Sequence, residues 1–188
     1  DPAETIAGRM RGVLGAYSDV TVTRSSIAPE GFDARFSAVW RRYRYRLADA
    51  QTGFDPLRRH DTTTVRGRLD EQAMDAAART LIGLHDYCKP REEATTIRTL
   101  LDYRWERDAE GVLVAEVKAD AFCHSMVRAL VGACVAVGEG RLDVGDVVVL
   151  RDALTRTSEF KVLAARGLIL TEVGYPADEL LSARATQT

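Results

Sequence analysis

Two stretches of this sequence combine residue types that could do chemistry. The first is Arg41-Arg42-Tyr43-Arg44-Tyr45-Arg46. Guanidinium groups grip phosphate oxygens through paired N–H donors. Tyrosine rings set between them offer faces on which unpaired bases stack. A basic-aromatic strand of this kind suits RNA recognition. On spacing alone the plainer alternative is a solvated strand whose arginines pair with acidic neighbours and whose tyrosines fill a core.

The second stretch is Phe122-Cys123-His124-Ser125-Met126-Val127-Arg128. Arg128 sits among Met126, Val127, Ala129, Leu130 and Val131, so part of its side chain must be drawn into the core. A guanidinium so placed calls for a carboxylate, and the pairing would lower that carboxylate's pKa and hold it ionised. A purely structural ion pair is the plainer alternative. At helical spacing His124 and Arg128 share a face.

Other groups carry less. Adjacent helical residues point about 100° apart, so Cys123 and His124 cannot easily share a proton as nucleophile and base. A zinc site from Cys88, Cys123, Cys134 and His124 lacks any C-x-x-C spacing. His85-Asp86 reads as a cap or turn. No Gly-x-x-x-x-Gly-Lys loop and no Gly-x-Gly-x-x-Gly motif occurs, which argues against nucleotide hydrolysis and Rossmann redox chemistry.

The elements that must hold these residues follow from periodicity. Asp1, Pro2 and Glu4 suit the start of a helix with Ile6, Met10, Val13 and Leu14 on one face. Val20–Thr23 alternates as a short strand, and Pro29-Glu30-Gly31 makes a turn. Phe36–Leu47 is a strand with Val39, Arg41, Tyr43, Tyr45 and Leu47 on one face and Trp40, Arg42, Arg44 and Arg46 on the other. Buried unpaired charges cost several kcal/mol each, so the arginine face meets water or an anion. Residues 51–68 read as a loop. Asp70 caps a helix carrying Met74, Ala77, Ala78 and Leu81, which Gly83 ends. Ile97–Trp105 and Val112–Ala119 form a hairpin around Asp108–Gly111. Phe122–Val137 is an apolar helix, Val147–Leu154 a further helix, Leu168–Val173 a last strand, and Pro176 onward a polar tail. The pattern gives an α+β fold, a largely antiparallel sheet with helices packed on one face.

Hydrophobic residues make up 46% and charged residues 29%, a globular composition with no internal repeat. No run approaches the roughly 18 apolar residues of a membrane span, and no signal peptide is visible. Three cysteines are too scattered for a disulfide framework and fit a cytoplasmic setting. The net charge of −2 announces no polyanion. The local crowding of Arg35, Arg41, Arg42, Arg44 and Arg46 says more, because phosphate binding depends on such patches.

Taken in order, four segments resemble the TruA family of tRNA pseudouridine synthases. Gly31–Ala38 with Arg41–Tyr45 is similar to its F-x-A-R-F-S-A…R-x-Y-x-Y stretch. Leu81–Tyr87 is similar to L-x-G-x-H-D-F, and Phe122–Arg128 with Val131-Gly132 to F-x-x-H-M-V-R-x-x-V-G. Ala165–Leu170 with Tyr175-Pro176 matches A-x-x-G-L-x-L…Y-P. The match runs from about residue 5 to 176.

This resemblance implies the pseudouridine synthase fold. It also implies isomerisation of uridine to pseudouridine in the anticodon stem-loop of tRNA, by a homodimer that uses no cofactor and no metal. Residue by residue, Tyr43 matches the active-site tyrosine that stacks on the target uracil. Arg128 matches the arginine of the catalytic pair, and Leu168 an apolar residue lining the base pocket. Arg41, Arg42, Arg44 and Arg46 would then hold phosphates. The family's catalytic aspartate lies in a Gly-Arg-Thr-Asp segment that does not occur here. The expectation is that residues 1–188 represent the C-terminal catalytic portion, with the N-terminal half missing, and are inactive alone. Ser125 stands where the family has histidine, so that position is assigned no catalytic role. A non-catalytic RNA-binding module remains the alternative from a different class, and a cysteine hydrolase built on Cys123 and His124 a third.

Overall fold

The strand that carries the basic-aromatic motif forms as its alternation requires. β1 (Trp40–Ala48) buries Tyr45 and Leu47 on one face, while Arg42, Arg44 and Arg46 leave from the other. The computed structural model describes residues 3–16, 18–87, 97–153 and 158–186. The caps expected from Asp1, Pro2 and the side chain of Glu4, the thiol of Cys88, and the helix end at Leu154 lie outside the described residues. The chain packs as two compact units, residues 1–38 with 176–188, and residues 39–175.

In the smaller unit, α1 spans Ala3–Leu14. Val20–Thr23 joins no ladder among the described residues, because an alternating segment without a partner is not a strand. Residues 33–37 form a turn, not the start of β1. Asp33 Oδ1 accepts the N–H groups of Arg35 and Phe36 at 2.8 and 2.7 Å, and an aspartate that bonds nearby amides competes with a ladder. The buried Ser37 hydroxyl donates to the carbonyl of Leu181 at 3.2 Å, at the start of α5 (Leu181–Thr186). That helix lies within the segment read as a polar tail.

In the larger unit, one edge of β1 pairs antiparallel with β5 (Leu113–Ala119), which pairs with β4 (Ile97–Arg107), which pairs with β3 (Gly83–Asp86). Along its other edge β1 carries β6 (Leu168–Gly174) beside Trp40–Tyr45, and then β2 (Thr63–Thr64) in parallel beside Leu47 and Ala48. A bulge shifts the β1–β6 register between Arg42 and Tyr43, leaving Thr171 unpaired. The sheet is therefore mixed and mostly antiparallel, with β2 and β3 added to what periodicity foresees. Both are too short to show a period.

Helices cover one face. α2 (Glu71–Thr80) is capped by Asp70, whose Oδ1 accepts the Ala73 N–H at 3.0 Å, and buries Met74, Ala77 and Ala78. Glu71 and Asp75 accept the Arg107 and Trp105 amides, fastening α2 to β4. α3 (Met126–Gly138) is buried along nearly its whole length against α2 and the sheet. A Cβ on Gly138 would lie 2.7 Å from Met74, so the glycine sets how closely these two helices approach. α4 (Val144–Asp152) starts earlier than expected because Asp143 and Asp146 form a reciprocal capping box. None of the described helices is long and apolar enough to cross a membrane.

Candidate active site

β1 sends Tyr43 out on the helix-covered face, two residues from the fully buried Tyr45. The Tyr43 ring is partly buried and meets Phe122 edge-on, 5.0 Å between centroids and 87° between planes. This T-shaped contact satisfies the aromatic quadrupoles and leaves the Tyr43 hydroxyl edge unspent. Across the ladder, β6 sets Leu170 opposite Tyr43 and Leu168 opposite Tyr45. Leu168, Leu163 and Phe122 are partly buried against the same core.

Arg128 comes from the first turn of α3 and is partly buried. Its Nη2 donates to Ser125 Oγ at 2.5 Å and its Nη1 to the Leu163 carbonyl at 3.4 Å. Among the described residues no carboxylate pairs with it. The Tyr45 hydroxyl, within 2.9 Å of Thr63 Oγ1, donates to the Ala164 carbonyl at 2.8 Å. Burial raises its pKa, while the Thr63 contact and the positive charges of Arg128 and Arg166 pull the other way. Arg128 and the two tyrosines thus share one side of the sheet. The guanidinium is neither beneath the opposite face nor loose in water.

The arginines of β1 divide. Arg41, on the Tyr43 face, donates to the Asp120 carbonyl at 3.0 Å. On the far face Arg44 binds Glu116 at 2.8 Å. Arg42 meets Glu172 at 3.3 Å and Glu116 at 3.8 Å. Arg46 meets Asp108 at 2.9 Å and Glu110 at 3.4 Å. The structure therefore does not bring Arg42, Arg44 and Arg46 together with Tyr43; it gives them acidic partners of their own. Arg44 stays accessible, its side chain 46% exposed.

His124 does not share a helical face with Arg128, because α3 begins at Met126 and His124 is exposed in the loop before it. Ser125 makes the contact instead. Its φ of 63° is left-handed, a conformation that costs a non-glycine residue about 1–2 kcal/mol. Cys123 is partly buried, its Sγ 3.7 Å from the Tyr87 carbonyl, while His124 beside it is exposed. The buried Cys134 thiol is pushed up to about 12 by burial. His85 and Asp86 are consecutive in β3, so their side chains leave opposite faces and cannot act as base and orienter.

A family model described as tRNA pseudouridine synthase matches residues 77–176. A protein of Leifsonia xyli named tRNA pseudouridine synthase A is 62% identical over 188 residues, covering 98% of this chain and 65% of that protein. One of Frankia casuarinae with the same name is 50% identical over 190 residues, covering 100% and 69%.

This chain belongs to the tRNA pseudouridine synthase family.

A further relative, tRNA pseudouridine synthase A of Streptomyces griseus, is 51% identical, with 98% of this chain and 66% of that protein aligned. The chain thus spans about two thirds of the length of these curated relatives. Family membership agrees with the α+β fold, the mixed and mostly antiparallel sheet, and the four ordered motifs. Sequence reasoning missed Phe122 as the ring that braces Tyr43, Ser125 as the neighbour of Arg128, and Arg166 as a second positive charge near Tyr45. The last could have been suspected, since Arg166 lies inside the quoted Ala165–Leu170 motif. The second could not, because nothing in the letters Cys-His-Ser announces a left-handed turn.

Proposed function

We propose that the protein isomerises uridine to pseudouridine in tRNA, at the anticodon stem-loop, as an intramolecular transferase without cofactor or metal. The observation that carries this reading is Arg128: a partly buried guanidinium on the Tyr43 and Tyr45 side of the sheet, with no carboxylate among the described residues to balance it. An isolated charge so placed is costly unless a partner arrives. An aspartate supplied from outside these residues would complete the pair.

The chemistry then divides as follows. The target uridine leaves its stack, which needs a ring face and an apolar pocket; Tyr43 supplies the first, and Leu168 with Phe122 the second. The aspartate, held ionised and aimed by Arg128, acts on the ribose as nucleophile or base. The bond between C1′ and N1 breaks, the uracil turns, and C5 joins C1′. The C5 proton is lost and N1 gains one, so the product is an isomer.

Of the proposed phosphate contacts, Arg44 has the most exposed side chain on the far face, and Arg41 lies on the Tyr43 face. Arg42, Arg44 and Arg46 can bind phosphate only by sharing or displacing Glu116, Glu172, Asp108 and Glu110. The reading further makes the protein a cytoplasmic homodimer with tRNA lying across both subunits, and this chain alone inactive. The test is pseudouridine mapping by mass in tRNA treated with the full-length protein. Tyr43→Ala and Arg128→Ala are expected to abolish formation while circular dichroism stays unchanged. Near-normal turnover in either folded variant would overturn the assignment, and tRNA bound but unmodified by the full-length protein would favour a binding module.

A further inference from the structure

We propose that Ser125 is a positioning residue for Arg128, holding the guanidinium in the plane from which it meets a carboxylate. The inference rests on the reading above and names a residue to which the motif match assigns no role.

Ser125 is the one non-glycine residue with positive φ among those described. It stands at the N-cap of α3, where a serine in extended backbone would turn its hydroxyl onto the free amides of the first turn. Here the backbone is left-handed, at φ 63° and ψ 7°, and the side chain makes no cap bond. The hydroxyl faces Arg128 instead, at 2.5 Å from Nη2. The turn is fixed on both sides, Met126 N–H donating to the Cys123 carbonyl at 3.1 Å and Ala129 N–H to the Ser125 carbonyl at 2.9 Å. The strained conformation therefore exchanges a helix cap for a contact with the guanidinium.

The second grip comes from Leu163. Its carbonyl accepts from Nη1 at 3.4 Å, and its N–H donates to the Arg128 carbonyl at 3.3 Å. A planar guanidinium held at both terminal nitrogens has a fixed plane. Both acceptors are neutral, so they orient the group without cancelling its charge, as a carboxylate in either place would have done. The remaining N–H donors and the full positive charge stay available for an acid brought from outside. Orientation without neutralisation is what a group that aims a catalytic carboxylate requires.

Three substitutions in the full-length protein separate the hydroxyl from the backbone. Ser125→Gly accepts the left-handed turn and lacks the oxygen. Ser125→Ala lacks the oxygen and keeps the strain. Ser125→Asn tolerates positive φ and restores an acceptor. Expected are a fall in kcat of about tenfold or more for both Gly and Ala with KM for tRNA nearly unchanged, and recovery of most turnover in Asn. The acid limb of kcat/KM is expected to move to higher pH in Ser125→Gly, because a poorly aimed guanidinium holds the carboxylate less firmly ionised. Wild-type turnover in a folded Ser125→Gly variant would overturn the proposal, leaving Ser125 a turn residue only. Full turnover in Arg128→Ala would instead remove the reading beneath it, so the two failures are distinct.

Discussion

Phe122 stands perpendicular to Tyr43, its ring centroid 5.0 Å away, and so fixes the direction in which the tyrosine ring can present a face. Stacking of a base on an aromatic ring is worth about 1–3 kcal/mol, and the edge-on pair adds about 0.5–1.5 kcal/mol of its own. Tyr43→Phe is therefore expected to retain substantial tRNA modification. Phe122→Ala should lower kcat/KM roughly tenfold by letting the ring tilt. Initial rates of pseudouridine formation distinguish them, and equal rates for Phe122→Ala and wild type would show that the brace is dispensable.

Gly167→Ala tests how tightly the start of β6 is seated. An added Cβ would lie 2.7 Å from the Arg46 carbonyl oxygen and 2.9 Å from the Tyr45 ring, neither of which can move freely. Overpacking of this kind costs about 1–3 kcal/mol. Urea unfolding should show that loss as a lower midpoint with an unchanged slope.

Acid stability should depend on Asp49. Its carboxylate is 1% exposed. Burial raises its pKa, but Arg107 at 2.8 Å and the Leu69 and Thr52 amides outweigh this and bring it from 3.8 to about 2. Because the folded pKa is depressed, the stabilisation is complete above about pH 4 and is lost as pH falls towards 2. The size is about 2 kcal/mol. Asp49→Asn should flatten the slope of unfolding free energy against pH between about 4 and 2, as well as destabilise the neutral protein by removing the buried partner of Arg107 and leaving it only Glu71, at 3.4 Å.

The outward arginines make a different prediction. Glu116 is 6% exposed and neutralises Arg44 and part of Arg42. If tRNA phosphate reaches this face, Glu116→Gln should tighten binding and steepen the fall of log K with log salt by about 0.7–0.9 for each phosphate gained. Filter binding across a salt series measures it. An unchanged slope would assign those arginines to the sheet alone.

Local period made much of this fold readable. Alternation across β1 separates Tyr43 from Arg42 and Arg44, and the helical spacing of Met74, Ala77 and Ala78 marks α2. The face that Arg128 shares with Tyr45 was foreshadowed by its apolar neighbours. What escaped depends on partners distant in sequence. Arg44 finds Glu116 only once β1 and β5 are in register. Thr63 and Thr64 become β2 only beside Leu47 and Ala48. The start of α3 moved from Phe122 to Met126 because Ser125 turns left-handed, a choice made by the surroundings of the turn and invisible in residue type.

The bulge at Thr171 has a bearing on solubility. β6 pairs with β1 alone among the described strands, so no described strand covers its outer edge, beside which Ile169 and Leu170 are exposed. A continuous apolar edge invites intermolecular strand addition and fibre growth. The extra residue breaks that template between Leu170 and Glu172. Any incoming strand would lose register there, so the irregularity acts as a guard against polymerisation.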